Sequence, residues 1–298
     1  MDPVNVKPAV EFVITPELVA RLLAEQCPDL AGLPLGESFE GWDAVVTRLG
    51  DELAVRLPRT RLARTVVEKE LALLPAASRG WDFATSTIVR AGAPTAAFPV
   101  PWTVVRWVPG IAALRVPLAA AAAGPLGRAI RQVHREAPVG APATASWSHP
   151  LEQHGSTVLA RIDAVAAQAG AGTPVFDAVA ARALWTAAVE TPLDEPLCLV
   201  HGDLHGSNVM SDGGRFAGIV DWGDMGVGEP AVDLGYAWLL LPAGTMPALI
   251  DGYGGASAAT QLRARAVGLG KALELVPFDD QRVRAAGWRT LANLGLAR

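Results

Sequence analysis

The sequence predicts an α+β chain in two lobes, a small antiparallel β lobe and then a larger, mainly helical one. Three observations carry that expectation. Residues 33–107 fall into short strand-type runs around one helical stretch. Val108-Pro109-Gly110 breaks the pattern, and helical periodicity dominates from Leu118 onward. The chain has 298 residues, long for one domain and short for three. The expected lobes are 1–108 and 109–298, with a hinge at 106–111.

The elements follow in order. Pro16 to Gln26 reads as a helix, with Thr15 as N-cap and Pro16 in the first turn. Leu33 to Arg48 alternates around Gly41, which suggests two strands and a turn. Leu53 to Leu57 is a third strand, and Val66 to Leu74 has helical spacing. Ser86 to Val89 and Thr103 to Trp107 read as two more strands, separated by a Pro/Gly/Ala loop. In the second lobe, Leu126 to His134, Val158 to Gln168 and Phe176 to Val189 are helix candidates. The alanine tracts at 119–123 and 178–183 read as small-residue helix faces, and no internal repeat is present.

Composition excludes several classes. Hydrophobic residues make up 51% and charged residues 18%, enough for a sizeable core and unlike a disordered chain. A net charge of −5 gives no general attraction to nucleic acid or anionic membrane. Cys27 and Cys198 are the only cysteines, so neither a disulfide framework nor a thiolate metal site is expected. Met1-Asp2-Pro3-Val4-Asn5 has no basic start before an apolar run, and no stretch reaches membrane-span length. A cytoplasmic monomer or homodimer is the expectation.

The chemistry concentrates in His201-Gly202-Asp203-Leu204-His205-Gly206-Ser207-Asn208 and Ile219-Val220-Asp221-Trp222-Gly223. This is the spacing of a kinase-type phosphoryl-transfer site. One aspartate takes the proton of an acceptor hydroxyl, an asparagine follows five positions on, and a second aspartate comes later; the last two hold magnesium. Asp203, Asn208 and Asp221 fit these places. Val209 to Ala217 is two apolar runs around Ser-Asp-Gly-Gly, a hairpin signal that carries Asn208 and Asp221 to one end. Any one of these fragments alone is compatible with ordinary turn chemistry. The rival reading of His201, Asp203 and His205 as a dinuclear hydrolase site leaves Asn208 and Asp221 unexplained.

These residues, with Gly228-Glu229-Pro230-Ala231-Val232-Asp233-Leu234, resemble the aminoglycoside phosphotransferase family, small-molecule kinases that share the protein-kinase fold. Upstream, Glu40-Gly41-Trp42-Asp43, Leu53 to Pro58, Val67-Glu68-Lys69-Glu70 and Arg106 to Gly110 resemble its macrolide-kinase-like branch. The likeness spans roughly residues 15–240. It implies a bilobal protein-kinase-like fold and transfer of the γ-phosphoryl group of ATP or GTP, with Mg2+, to a hydroxyl of an aminoglycoside or macrolide antibiotic, hence antibiotic resistance. A housekeeping kinase of a sugar, amino alcohol or amino acid is the alternative on the same fold. A weak pseudokinase or nucleotide-binding module is the non-enzyme alternative. No long activation segment follows Asp221, which disfavours a protein kinase.

By this resemblance Arg56 stands where a kinase carries a lysine; the lysines here are Lys7, Lys69 and Lys271. A guanidinium grips phosphate as a fork and is not equivalent to an ammonium. Glu70, or alternatively Glu68, is expected to orient it. Gly41 lets backbone amides approach phosphate, makes a hairpin turn, or does both. Arg106, Trp107 and Val108 sit where a hinge offers backbone groups to a purine, though a tryptophan there also suits core packing. His201 is expected to be structural, Trp222 to be buried, and Asp233 to cap a helix or brace the loop at 201–208; Asp224 is a weak extra ligand candidate. The acceptor is illegible. Asp194, Glu195, Glu274, Asp279, Asp280, Trp147, Trp185 and Trp238 are scattered candidates, and clustered carboxylates would fit an aminoglycoside where an apolar groove would fit a macrolide.

Overall fold

The computed structural model describes residues 9–145, 147, 150–168 and 174–298. Met1 to Asn5 and Lys7 lie outside the described residues. The chain divides into two compact units. The first holds the residues up to Gly80, with Thr85–Val108 and Asp221–Gly223; the second holds Trp81–Ala84, Pro109–Val220 and Asp224–Arg298.

The first unit opens with helix α1 (Pro16–Gln26), whose Thr15 side chain accepts the Leu18 N–H and whose buried face is Val19, Leu22 and Leu23. Strands β1 (Leu35–Glu40), β2 (Ala44–Leu49) and β3 (Leu53–Pro58) follow, then α2 (Ala63–Ala77), β4 (Ile88–Gly92) and β5 (Trp102–Arg106). They form one antiparallel five-stranded sheet in the order β1-β2-β3-β5-β4. The central strand β3 is buried at all six positions, and Val55, Leu57, Trp102 and Val104 pack with the α1 face and Phe98. Helix α2 outruns the expected Val66–Leu74 because Pro75 falls in its last turn, where the carbonyl it obstructs lies one turn back and little helix remains to break. Strand β4 lies later than the expected Ser86–Val89. Thr85 to Thr87 is closed by a local backbone hydrogen bond of 2.8 Å, and the edge strand that follows ends in Arg90, Ala91 and Gly92, which have no strand signature.

In the second unit, β8 (Val209–Asp212) and β9 (Arg215–Ile219) form the expected hairpin, joined by β6 (Ile111–Ala112). A separate two-stranded ladder pairs β7 (Cys198–Val200) with β10 (Gly226–Gly228). The described helices are α3 (Ala123–Val133), α4 (Gly155–Ala166), α5 (Ala178–Glu190), α6 (Ala231–Leu240), α7 (Met246–Tyr253), α8 (Ala258–Leu275) and α9 (Gln281–Asn293). Helix α6 packs on α8, and α3 on α7. Arg263 of α8 is fully buried and forks onto Glu229, with Nε and Nη2 each 2.6 Å from a carboxylate oxygen. Its Nη1 donates to the Ala188 and Thr191 carbonyls, which ties α5, α8 and the start of α6 together. Cys27 and Cys198 are buried free thiols.

Candidate active site

The loop 201–208 leaves the end of β7 and leads into β8 of the β8–β9 hairpin. It is fixed from beneath by Asp233, which is wholly buried in the first turn of α6. The Asp233 carboxylate accepts the His201 N–H at 2.7 Å, the Gly202 N–H at 2.9 Å and His134 Nε2–H at 3.1 Å. Tyr253 in turn donates its hydroxyl to His134 Nδ1 at 2.9 Å, which fixes the tautomer. Burial alone would raise the Asp233 carboxyl; the hydrogen bonds from His134 and the Gly202 amide hold it below its ordinary value. Gly202 has φ +84°, and a Cβ there would sit 2.1 Å from Thr144 Oγ1, so only glycine allows the turn into Asp203.

Asp203 emerges above this brace with its side chain 29% exposed. Oδ1 accepts the Tyr236 hydroxyl at 2.9 Å. Oδ2 accepts His205 Nε2–H at 3.1 Å, while His205 Nδ1 accepts the Ser207 N–H. Burial would raise Asp203, but the hydrogen bond from His205 and the charge of Lys271 hold it well below the carboxylate range. His201 is structural in its contacts: Nε2 donates to the Val220 carbonyl at 3.1 Å, and Nδ1 accepts the Asp203 N–H. Asn208 is buried, and its Nδ2 donates to the Asp203 carbonyl at 2.9 Å, so its amide oxygen is the atom presented outward. Its own carbonyl accepts the Val220 N–H at 2.9 Å, closing the hairpin one residue before Asp221.

The first unit holds the other half of the predicted set. Arg56 on β3 is buried, not an exposed strand residue. Its Nη1 pairs with Glu70 of α2, and its Nη2 lies 2.8 Å from Asp221 Oδ1. Glu68 instead pairs with Arg64 on the exposed face of α2. Burial opposes the guanidinium charge, and the carboxylates of Glu70 and Asp221 more than restore it. Asp221 has φ +63° and a side chain 50% exposed. The following Trp222 is fully buried, with its indole N–H on Thr85 Oγ1 at 2.8 Å and its backbone N–H on Glu70. A Cβ on Gly223 would lie 2.7 Å from Val66 Cγ1, so this segment packs against α2 only with glycine there.

Gly41 makes the turn: its N–H bonds the Ala44 carbonyl at 2.8 Å. The loop is pinned by buried Arg59, which donates to the Gly41 and Trp42 carbonyls and pairs with Glu40. The Arg106 and Trp107 N–H groups serve the Thr87 and Glu52 carbonyls, and Val108 is buried. The Trp107 ring lies between Phe39 and the Arg48 guanidinium, whose carbon is 5.0 Å from the ring centroid.

The candidate acids do not gather. Asp194 and Glu195 both bind Ser257, Asp280 caps α9, and Glu274 pairs with Arg161 and Lys271. Among the described residues no cluster of three metal-binding side chains occurs. Asp224 gives its carbonyl to Thr144. Trp147 stacks on His154 and meets Trp185 edge-on, while Trp238 borders an open cavity of about 910 Å³ with Ile250 and Arg265. Tyr236 and Lys271 escaped the sequence reading. Tyr236 lies three residues past Asp233, a helical spacing that puts both on the loop side of α6. Lys271 Nζ lies 5.0 Å from the Tyr236 ring centroid.

The profile of the phosphotransferase enzyme family APH matches residues 29–268. The chain belongs to this family. Among solved structures, a GDP complex of wild-type aminoglycoside 2'-phosphotransferase-IIIa is similar at 18% identity, with TM-score 0.61, covering 95% of this chain and 99% of that one. A GDP and kanamycin complex of a related aminoglycoside phosphotransferase gives 18%, 0.58, 93% and 98%. An apoenzyme macrolide 2'-phosphotransferase from Brachybacterium faecium gives 21%, 0.59, 92% and 98%. No curated protein sequence matches significantly. The fold is the bilobal kinase-like one, a five-stranded β lobe and a mainly helical lobe. No helix among the described residues is long and apolar enough to cross a membrane.

Proposed function

We propose that this phosphotransferase moves the γ-phosphoryl group of ATP or GTP to a hydroxyl of a small molecule. The carrying observation is Asp203, a partly exposed carboxylate with a hydrogen-bond donor on each oxygen, on a loop braced by Asp233. Oδ2 also receives Asn208 Nδ2–H at 3.4 Å, while Oδ1 keeps a second lone-pair direction, so an acceptor O–H can be received and aimed there. Held so far below the carboxylate range, Asp203 is a weak base that orients the acceptor and takes its proton late. That suits a loose transition state, in which the attacking oxygen needs little early deprotonation.

The donor set supports magnesium. Asn208 presents a neutral amide oxygen and Asp221 a half-exposed carboxylate, the hard oxygen ligands this cation takes beside phosphates. Bound magnesium would neutralise charge on the transferring phosphates. Glu70 and Arg56 would serve the nucleotide side, with Arg106, Trp107 and Val108 at the purine edge.

The charge pattern favours a weakly charged, macrolide-type acceptor over a polyammonium one. Glu274 is already matched by Arg161 and Lys271, and the Lys271 charge acts on Asp203 itself. Two like charges about 5 Å apart repel by about 3 kcal/mol at an effective dielectric near 20. The test is release of nucleoside diphosphate from ATP and GTP, with magnesium, across macrolides, kanamycin and small polyols. Acceptor-dependent release, strongest with macrolides, is expected; no acceptor stimulation with either nucleotide would refute the reading.

A further inference from the structure

The socket around Asp221 carries one more conclusion, which rests on Asp221 being the metal carboxylate. Arg56 does not reach into open space. Its two terminal nitrogens are directed at Glu70 and at Asp221 Oδ1, and the side chain is 10% exposed. Glu70 also receives the Trp222 N–H, so one buried ion pair fixes both the carboxylate and the peptide after it. Asp221 is thereby kept at φ +63°, a left-handed conformation that costs a non-glycine residue energy. Among the described residues, the hydrogen bond to its carboxylate ends on Oδ1. Oδ2 is the oxygen left to meet a cation.

We propose that Arg56 governs cation entry: it presets Asp221 for a metal–nucleotide complex and repels a divalent ion that arrives without phosphates. A lysine could not do both in the same way. An ammonium is a point charge without a planar fork, whereas the guanidinium spans two carboxylates and stays charged. A bare divalent cation approaching Oδ2 meets that fixed positive charge across one carboxylate. A cation sheathed in phosphate arrives with its charge already cancelled, and the same guanidinium then attracts the complex. Removing Arg56 should therefore move the two affinities in opposite directions. A purely structural arginine would weaken both, and a simple phosphate clamp would leave the bare ion unchanged.

The experiment uses the full chain with Mn2+ as probe, free ion followed by electron paramagnetic resonance, alone and with ATP. Four proteins are compared: wild type, Arg56→Gln, Arg56→Met with Glu70→Leu, which removes the buried pair together, and Asp221→Asn. Arg56→Gln removes one nearby positive charge and should bind Mn2+ alone roughly tenfold more tightly than wild type, and Mn2+–ATP roughly tenfold more weakly. The double variant loses a positive and a negative charge, the positive one bonded to Asp221, and should shift both in the same senses by smaller factors. Circular dichroism identifies the folded variants, and if Arg56→Gln is unfolded the double variant decides. No gain in bare-ion affinity in any folded Arg56 variant overturns the proposal. Unchanged Mn2+–ATP binding in Asp221→Asn overturns instead the assignment of Asp221 as a metal ligand.

Discussion

Asp233→Asn tests how firmly the loop 201–208 is held. The change is nearly isosteric and removes the charge. Asp233 accepts three donors, two on Oδ2 and one on Oδ1, and its side chain is wholly buried. An asparagine can keep its oxygen at only one of these places, and its NH2 then faces an N–H at the other. One donor left unsatisfied costs about 1–3 kcal/mol, and the surviving bonds to a formerly charged acceptor lose about 1 kcal/mol each. The sum is about 3–5 kcal/mol, or roughly 6–20 °C in melting temperature for a unit of this size. Denaturant unfolding followed by tryptophan fluorescence measures it. The pH dependence has a definite sign. The folded-state carboxyl is held below its unfolded value of about 3.9, so its stabilisation is complete above that pH and fades as pH falls toward the folded value. The gap between wild type and Asp233→Asn should be constant from about pH 6 to 8 and close below about pH 4. A variant within about 0.5 kcal/mol of wild type at pH 7 would refute the brace.

Asp203→Asn should keep the fold and nucleotide binding while turnover falls by about 10²–10⁴-fold, as for a positioned general base; near-normal phosphorylation would remove Asp203 from the chemistry. Tyr236→Phe should lower kcat by roughly tenfold with nucleotide KM unchanged, the scale of one hydrogen bond to a charged group. An equal effect on nucleotide KM would show that the tyrosine acts through folding instead. Arg263→Met leaves Glu229 buried and unpaired and should cost about 3–5 kcal/mol in denaturant unfolding. Adding Glu229→Leu should restore most of that loss, and no recovery would mean the fork matters through the Ala188 and Thr191 carbonyls.

Several elements were legible because their signals are local. Thr15 and Pro16 mark α1, the alternation around Gly41 marks β1 and β2, and Ser-Asp-Gly-Gly marks the β8–β9 hairpin. What escaped is what local pattern cannot encode. Strands β7 and β10 are three residues each, too short for a period to develop. Helix α6 is buried on nearly every face, so it lacks the apolar stripe that betrays a surface helix. Tyr236 and Lys271 are identified by their partners, 33 residues from Asp203 in one case and on another helix in the other. Charge patterning in sequence gives neither. Glu70 and Glu68 are two residues apart, and only the direction of α2 against β3 sends one inward to Arg56 and the other outward to Arg64.

The three aspartates of the motif show what structure adds to a motif match. In sequence they are the same side chain, at positions 203, 221 and 233. Asp233 is wholly buried, with a backbone amide and an imidazole on Oδ2 and a backbone amide on Oδ1, so no ligand reaches it and its work is to hold the loop. Asp203 is partly exposed, with His205 and Asn208 on Oδ2 and the Tyr236 hydroxyl on Oδ1, which leaves Oδ1 a lone pair to receive a hydroxyl. Asp221 is half exposed and pinned on one oxygen by a guanidinium, which leaves the other to meet a cation. Exposure and the identity of the donors support the proposed division into brace, orienter and ligand. The same criterion explains why Arg56 can stand where a lysine is usual. What the position requires is a permanent positive charge that can hold Glu70 and Asp221 at once, and a planar fork with two terminal nitrogens meets that requirement through geometry as well as charge.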